Sequence, residues 1–540
     1  MLKVLLAIAI LFTPVLGDEG HHHEDLTAAQ LGSVEFPTSC AAPVQQRFER
    51  GIALLHSFWY EEAEKEFLQI TNDDPHCAMA HWGVAMSLWH QLWNRPDEAT
   101  QKRGREELEK AASLRASARE QAYIAALQMF YGGKGDFDAR SGAYCKAMEQ
   151  LYAKFPGDRE AAAFYALSLL ASAPEDDPTF TNNRKAGAIL EKLFAQEPDH
   201  PGVAHYLIHS YDNPQLAPLA LAAARRYAKI APAAPHALHM PSHIFARLGL
   251  WQDDIDSNLA SIAATRKTAA MHMGGESHQF HAMDYLVYAY LQSGREAEAW
   301  KVIEEVRAMP AVHDMQDMGY DAKGYALSQF PATYQIELRH WKEAATLEPV
   351  STPDEANHAI TSWARAVGAA RSGNLEQARQ DIADIERIHK IYLDKHRPFT
   401  ASMIDDSRKQ AAAWLAHAEG KDDEAIRLLK ECAEEEDKLA LEPSVVPARE
   451  QLADMLLEMN RPQQALAEYE TDLKLNPNRF NGLYGAARAA EAAGRKDLQA
   501  SYYEQLLKVC AGSVSNRPEL ARARQEAETI GHTFPPQTRQ

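Results

Sequence analysis

A 34-residue frame that recurs along the chain constrains the fold more than any other feature, because a fixed period of that length means stacked supersecondary units. From Val44 to Cys77, the residues Gly51, Leu54, Tyr60, Ala63, Phe67, Ile70 and Pro75 fall at positions 8, 11, 17, 20, 24, 27 and 32 of the unit. Small residues at 8 and 20 let two antiparallel helices approach, larger ones at 24 and 27 fill the space between them, and proline ends the second helix. Parts of the frame return at Gly294/Ala299/Ile303, Trp341/Ala344, Gly373/Ala378/Ile382, Gly420/Ala425/Leu429, Leu452/Ala453/Ala465/Tyr469/Pro477 and Gly494/Ala500/Tyr503. Steps of 45 residues from Ala299 to Ala344 and 47 from Ala378 to Ala425 mark insertions between units. Beyond Val44 the apolar residues keep a helical period and no alternating strand pattern, which predicts an all-α chain.

This frame resembles the tetratricopeptide repeat. The resemblance spans most of 44–510 and implies a right-handed superhelical solenoid of antiparallel helix pairs. It divides the chain into N-terminal repeat helices over 44–93, a helical insertion with irregular repeats over 94–180, central histidine-rich repeats over 181–310, C-terminal repeats over 311–512 and a tail over 513–540. The charged stretch Asp97 to Arg119 interrupts the register and reads as an exposed connecting helix. Gly132-Gly133-Lys134-Gly135 lacks the spacing of a phosphate loop and reads as a turn between helices.

Hydrophobic residues make up 46% and charged residues 24%, the balance of a folded soluble protein. With 56 Lys+Arg against 76 Asp+Glu the net charge is -20, which repels phosphate backbones and argues against a nucleic-acid partner. Lys3, the apolar run Val4 to Phe12 and the small residues before Asp18 predict a secretory signal peptide over 1–17, with the mature chain periplasmic or extracellular. No later stretch is long and apolar enough to span a membrane. Residues 18–43, with His21-His22-His23, read as a flexible arm. Of five cysteines, Cys40 and Cys77 form one pairing among several that spacing leaves open.

Nine of the 23 histidines lie between His200 and His281. His205 and His239 are 34 residues apart, and so are His209 and His243. Placing Gly249 at position 15 puts His205 and His239 at position 5 and His209 and His243 at position 9. The resemblance implies that positions 2, 5, 9 and 12 of the first helix line the concave groove. Asp212 then falls at 12, His236 at 2, and the next unit offers His281 at 2 and Asp284 at 5. Pro241, between His239 and His243, removes a helical hydrogen bond and makes His239 the least secure member.

Imidazole is a ligand for copper, zinc and iron, and pairs at i,i+4 are a ready chelate. The predicted ligands are His205, His209, His239, His243 and His281, with His236, Asp212, Asp284 and His278 as secondary candidates and the aspartates as ligands or tautomer-fixing acceptors. Thioethers at Met271 and Met273, beside the Gly274-Gly275 loop and outside the cytosol, rank copper above zinc or iron. At positions 5 and 9 elsewhere stand Gln329/Thr333, Trp363/Val367, Gln410/Trp414, Glu450/Asp454 and Tyr484/Arg488, none of them histidine. The competing reading is a groove that binds a peptide or partner helix. His81 and His90 read as core or groove-edge residues. PDHPGVAHYLIHSYD (198–212) and HALHMPSHIFARLGLW (236–251) are also similar to a family of exported bacterial tetratricopeptide proteins, a likeness that adds no reaction and leaves enzyme activity open.

Overall fold

The computed structural model describes residues 26–92, 95–174, 177–271, 273, 277–310, 320–439 and 445–529. The predicted leader and His21-His22-His23 lie outside them. Among the described residues every regular element is a helix, and no helix is long and apolar enough to cross a membrane.

The helices run as antiparallel pairs stacked on their sequence neighbours, in a tetratricopeptide-like solenoid. The pairs are Gln45–His56 with Tyr60–Asp73, Ala78–Ser87 with Glu98–Ser113, Ala118–Tyr131 with Phe137–Lys154, Arg159–Ala171 with Thr181–Gln196, and Pro201–Tyr211 with Ala217–Ile230. The sixth has a broken first helix, Pro235–His239 then Pro241–Arg247, against Trp251–Ala270, and His278–Gln292 with Glu296–Ala308 follows it. Ala322–Glu337 with Trp341–Ala345, Glu355–Ser372 with Leu375–Asp394, Pro398–Ala418 with Asp422–Leu439, Ala448–Glu458 with Pro462–Leu475, and Phe480–Ala492 with Lys496–Val509 complete the array. The frame works as its chemistry requires: Phe67 lies between Gly51 and Gly83, where an added Cβ would stand 2.8 and 2.5 Å from its ring.

Two expectations need correction. Glu98–Ser113 is no exposed connector, because it packs on Ala78–Ser87 and Ala118–Tyr131 through buried Gly104, Leu108 and Ala111. Its buried face is narrow and its exterior charged, so the apolar period is faint. Within the arm read as flexible, residues 26–43 are docked. Leu31 and Phe36 are buried, Ala233 N donates to Gln30 O at 3.1 Å, and a disulfide joins Cys40 to Cys77. The described part of the tail carries the helix Pro518–Thr529, which buries Leu520 and Ala523 against the last pair and caps the array.

The solenoid closes on itself twice. The first helix, Gln45–His56, touches Pro201–Tyr211 of the fifth pair, and the space inside this turn is filled by aromatic rings. Phe36 packs on Phe48, Trp82 and Tyr123 at centroid distances of 5.3, 5.9 and 5.1 Å. The concave face of the N-terminal turn is therefore a packed interior rather than an open groove. In the second turn His278–Gln292 meets Phe480–Ala492. There Arg479, fully buried, donates to Glu337 at 2.7 Å and Glu450 at 2.9 Å, and to the Tyr288 hydroxyl.

Removing one partner of a buried ion network leaves the others unpaired, at a cost of roughly 3–5 kcal/mol. Arg479→Ala is therefore expected to destabilise the C-terminal half by that amount in denaturant unfolding, and a loss below about 1 kcal/mol would contradict the closure described. Nearby, burial and then Glu450 push the fully buried Asp472 carboxyl up to about 7. Raised above its unfolded value of ~3.9, this group makes the folded state hold the extra proton, so its contribution is full below pH ~4 and is lost as pH rises toward 7. Asp472→Asn should be close to neutral at pH 4 and stabilising at pH 8 by on the order of 1 kcal/mol, read from paired denaturant curves.

Candidate metal centre

Two three-histidine groups form where the fifth, sixth and seventh pairs meet: His205, His209 and His236, and His239, His243 and His281. In each group the ligand nitrogens lie within 4.8 Å of one another. The groups adjoin, with the rings of His236 and His239 6.3 Å apart. Pro201 starts the helix that carries His205 and His209 one turn apart on one face. The sixth helix does break at Met240, as Pro241 demands, yet both pieces turn their histidines inward. His239, expected to be the least secure member, is buried and its Nε2 lies 3.0 Å from that of His243.

The hydrogen bonds around the groups decide which nitrogen of each ring carries a proton. His205 Nδ1 lies 2.6 Å from the carbonyl oxygen of His56, which can only accept, so Nδ1 is protonated and Nε2 is not. His239 Nδ1 faces Asn258 Oδ1 at 2.7 Å. The amide orientation is set because Asn258 Nδ2 donates to Asp254 Oδ1 at 2.6 Å. His243 Nδ1 donates to Asp212 Oδ2 at 2.7 Å. Burial would raise the Asp212 carboxyl, but Arg247 and His243 hold it well below the usual carboxylate range, so it is a charged acceptor.

With Nδ1 of both His239 and His243 donating, their Nε2 atoms stand 3.0 Å apart, a contact that needs a metal ion between them or a proton on one of the two rings. His205 Nε2, unprotonated, faces Nε2 of His236 at 3.0 Å and of His209 at 3.1 Å, and one lone pair cannot accept from both. Such contacts are repulsive unless a cation sits between the nitrogens. A shared proton is a poor candidate, because burial and then neighbouring imidazoles push His205, His236 and His239 well below the ordinary value. The same causes push His209 down to about 3. Either group could hold a metal ion: at the ~2.0–2.1 Å reach of imidazole to zinc, tetrahedral ligands stand about 3.3–3.4 Å apart, close to the 3.0 and 3.1 Å contacts and inside the 4.8 Å that bounds each group.

A third buried group, His56, Glu160 and His200, differs in kind. Both histidines reach Glu160 through Nε2 at 2.8 Å, while His56 Nδ1 meets the Tyr206 hydroxyl at 2.9 Å and His200 Nδ1 accepts from Val203 N at 3.2 Å. Every ring nitrogen is satisfied with no cation, so this group is structural.

All five predicted ligands are brought together, but as two groups rather than one, with His236 completing the first. Asp212 fixes a tautomer. His278 lies beside the first group, 5.9 Å from His236 by ring centroids. Asp284 belongs to neither group and takes a hydrogen bond from the Tyr325 hydroxyl at 3.4 Å. Met271 is exposed and Met273 is buried in the N-terminal core, its carbonyl bonded by Trp59 Nε1 at 3.2 Å. Four further contributors were not evident beforehand. They are the His56 carbonyl, Asn258, Phe58, whose ring lies 4.3 Å from His205, and Tyr285, whose hydroxyl is 3.1 Å from His243 Nδ1.

No family model matches the chain and no curated protein matches it. Among solved structures, the human IFIT1 dimer with PPP-AAAA is similar over 85% of this chain and 95% of that one, at 12% identity and a TM-score of 0.37. A monomeric IFIT1 mutant with Gppp-AAAA gives 84%, 95%, 13% and 0.36, and Naa15/Naa10 bound to HypK-THB gives 90%, 91%, 10% and 0.23. Overlap this loose leaves function to the chain's own residues.

The tautomers are directly measurable. With histidine nitrogens labelled and metal removed by chelator, long-range nitrogen–proton spectra at pH 7 should show His205 and His239 neutral and protonated at Nδ1, and His243 carrying a proton at Nδ1. Protonation of His205 or His239 at Nε2, or a bare Nδ1 on His243, would contradict the geometry above.

Proposed function

We propose that the two groups hold two transition-metal ions, one on His205, His209 and His236 and one on His239, His243 and His281, in an exported tetratricopeptide-like protein. The observation that carries this reading is the face-to-face approach of imidazole Nε2 atoms at 3.0 Å. Its support comes from the acceptors behind them, because metal-bound histidines donate their other ring N–H to a carboxylate or carbonyl. Copper ranks above zinc or iron, since nitrogen sites favour Cu²⁺ over its neighbours in the divalent series. The Met271 thioether, solvent-exposed, does not contribute to that ranking. The Cys40–Cys77 disulfide supports an oxidising compartment outside the cytosol.

Three protein ligands per ion is the count of catalytic rather than structural sites, which leaves a position for an exchangeable group. His205, His239 and His243 are buried, whereas His209, His236 and His281 are half-buried and form the reachable side. Ions held there would supply Lewis-acid or redox chemistry, and a metalloenzyme is the reading that this open position favours. The chain's own part is to fix the rings. The His56 carbonyl, Asn258 and Asp212 each bind an Nδ1–H and aim Nε2 inward, while Phe58 and Tyr227 pack on His205 at 4.3 and 5.1 Å.

Elemental analysis of native protein purified without metal-affinity chromatography should give two ions per chain, one after His209→Ala and none after His209→Ala with His243→Ala. The helical circular-dichroism spectrum should be unchanged, because each pair is held mainly by its neighbours. Native protein without stoichiometric metal would overturn the reading in favour of a peptide-binding groove. Unfolding of the double variant would make the ions structural.

A further inference from the structure

In the second turn of the solenoid, groove positions predicted from the repeat frame line a cavity. Gln329, Thr333, Trp363 and Gln410 border it, together with Asp406 and Glu436. The two carboxyl groups are drawn together by one donor: Gln410 Nε2 lies 2.6 Å from Asp406 Oδ2 and 3.0 Å from Glu436 Oε1. Gln410 is held in turn, since its Oε1 accepts from Gln451 Nε2 at 2.8 Å and Gln451 Oε1 accepts from Trp414 Nε1 at 2.9 Å. Burial and then Asp406 push the Glu436 carboxyl well above its usual range, the mark of two acids sharing a proton.

Two observations say what is missing. Among the described residues no lysine, arginine or histidine forms an ion pair with Asp406 or Glu436. Trp363, only 8% exposed and lining the same cavity, leaves its indole N–H without an acceptor. A buried donor left unmade costs free energy, and native proteins rarely tolerate one without reason. The complement is a ligand that carries a cation and, further out, a carbonyl-type acceptor. Size narrows the class. The cavity holds about 80 Å³, room for an ammonium head. Ile360, Met403 and Val446 give the apolar walls that an alkyl stem packs against.

We propose that this cavity receives a lysine side chain of an extended peptide lying along the C-terminal concave face, with the ammonium between Asp406 and Glu436 and a main-chain carbonyl on Trp363 Nε1. The site is separate from the histidine groups and does not depend on metal. Specificity follows from charge: acetylation of the amine removes the cation that the two carboxyl groups face.

The test is calorimetric titration of the full chain with an acetylated, amidated Gly-Gly-Lys-Gly-Gly peptide. Saturable one-to-one binding is expected, weakened at least tenfold by Nε-acetylation of the peptide, by Asp406→Asn and by Glu436→Gln. Trp363→Phe, which keeps the ring and removes the N–H, should weaken it several-fold, and n-butylamine should bind several-fold less tightly than the peptide. Lack of saturable binding, equal binding of the acetylated peptide, or indifference to both carboxyl variants would overturn the proposal. n-Butylamine binding as tightly as the peptide would overturn a peptide source in favour of free alkylamines. If the carboxyl variants fail to fold by circular dichroism, the acetylated peptide and Trp363→Phe decide.

Discussion

His56 ties the first helix pair to the fifth, and both the N-terminal turn and the site hang on that contact. Its ring spans Glu160 and Tyr206 at 2.8 and 2.9 Å, while its main-chain oxygen takes the Nδ1–H of His205 at 2.6 Å. One residue thus closes the superhelix and sets the tautomer of a histidine 149 positions away in sequence. The approach is possible because Gly202 has no side chain; a Cβ there would stand 2.4 Å from the His56 ring. The fold therefore does more than display histidines: its closure decides which lone pair each presents.

The two turns use opposite chemistry for the same task. The first fills its interior with aromatic rings and gathers six imidazoles at one rim, where burial and mutual repulsion oppose protonation of His205, His209, His236 and His239. The second closes around the charges of Arg479, Glu337 and Glu450. Buried charge is seldom a net gain in stability, though it penalises every arrangement in which the partners fail to meet. Such a network favours one register of closure and leaves the neighbouring groove positions free to carry Asp406, Glu436 and Trp363.

Much of the site was legible because paired histidines recur at the repeat period. His205 and His239 share one position of consecutive units, as do His209 and His243, and stacking equivalent helices brings equivalent positions together. The same reasoning blurred two groups into one: it saw a single convergent volume where His236 joins His205 and His209 while His239, three residues on, joins His243 and His281. Asp284, on a groove position by count, turns to Tyr325 on the next unit, since a position number gives the face of a helix and not the partner that competes for the side chain.

By itself the sequence determined the helical class, the repeat unit and the face on which the histidines lie, because these rest on contacts between residues three or four apart or one period apart, and such contacts leave a period to read. Tertiary structure alone decided that the array closes, that Leu31 and Phe36 dock the N-terminal segment, and that the His56 carbonyl, Asn258 and Asp212 aim the ring nitrogens. Those contacts join residues without a common repeat position, 149 apart for His56 and His205 and 191 apart for Tyr288 and Arg479, and a pairing made once leaves no periodic trace.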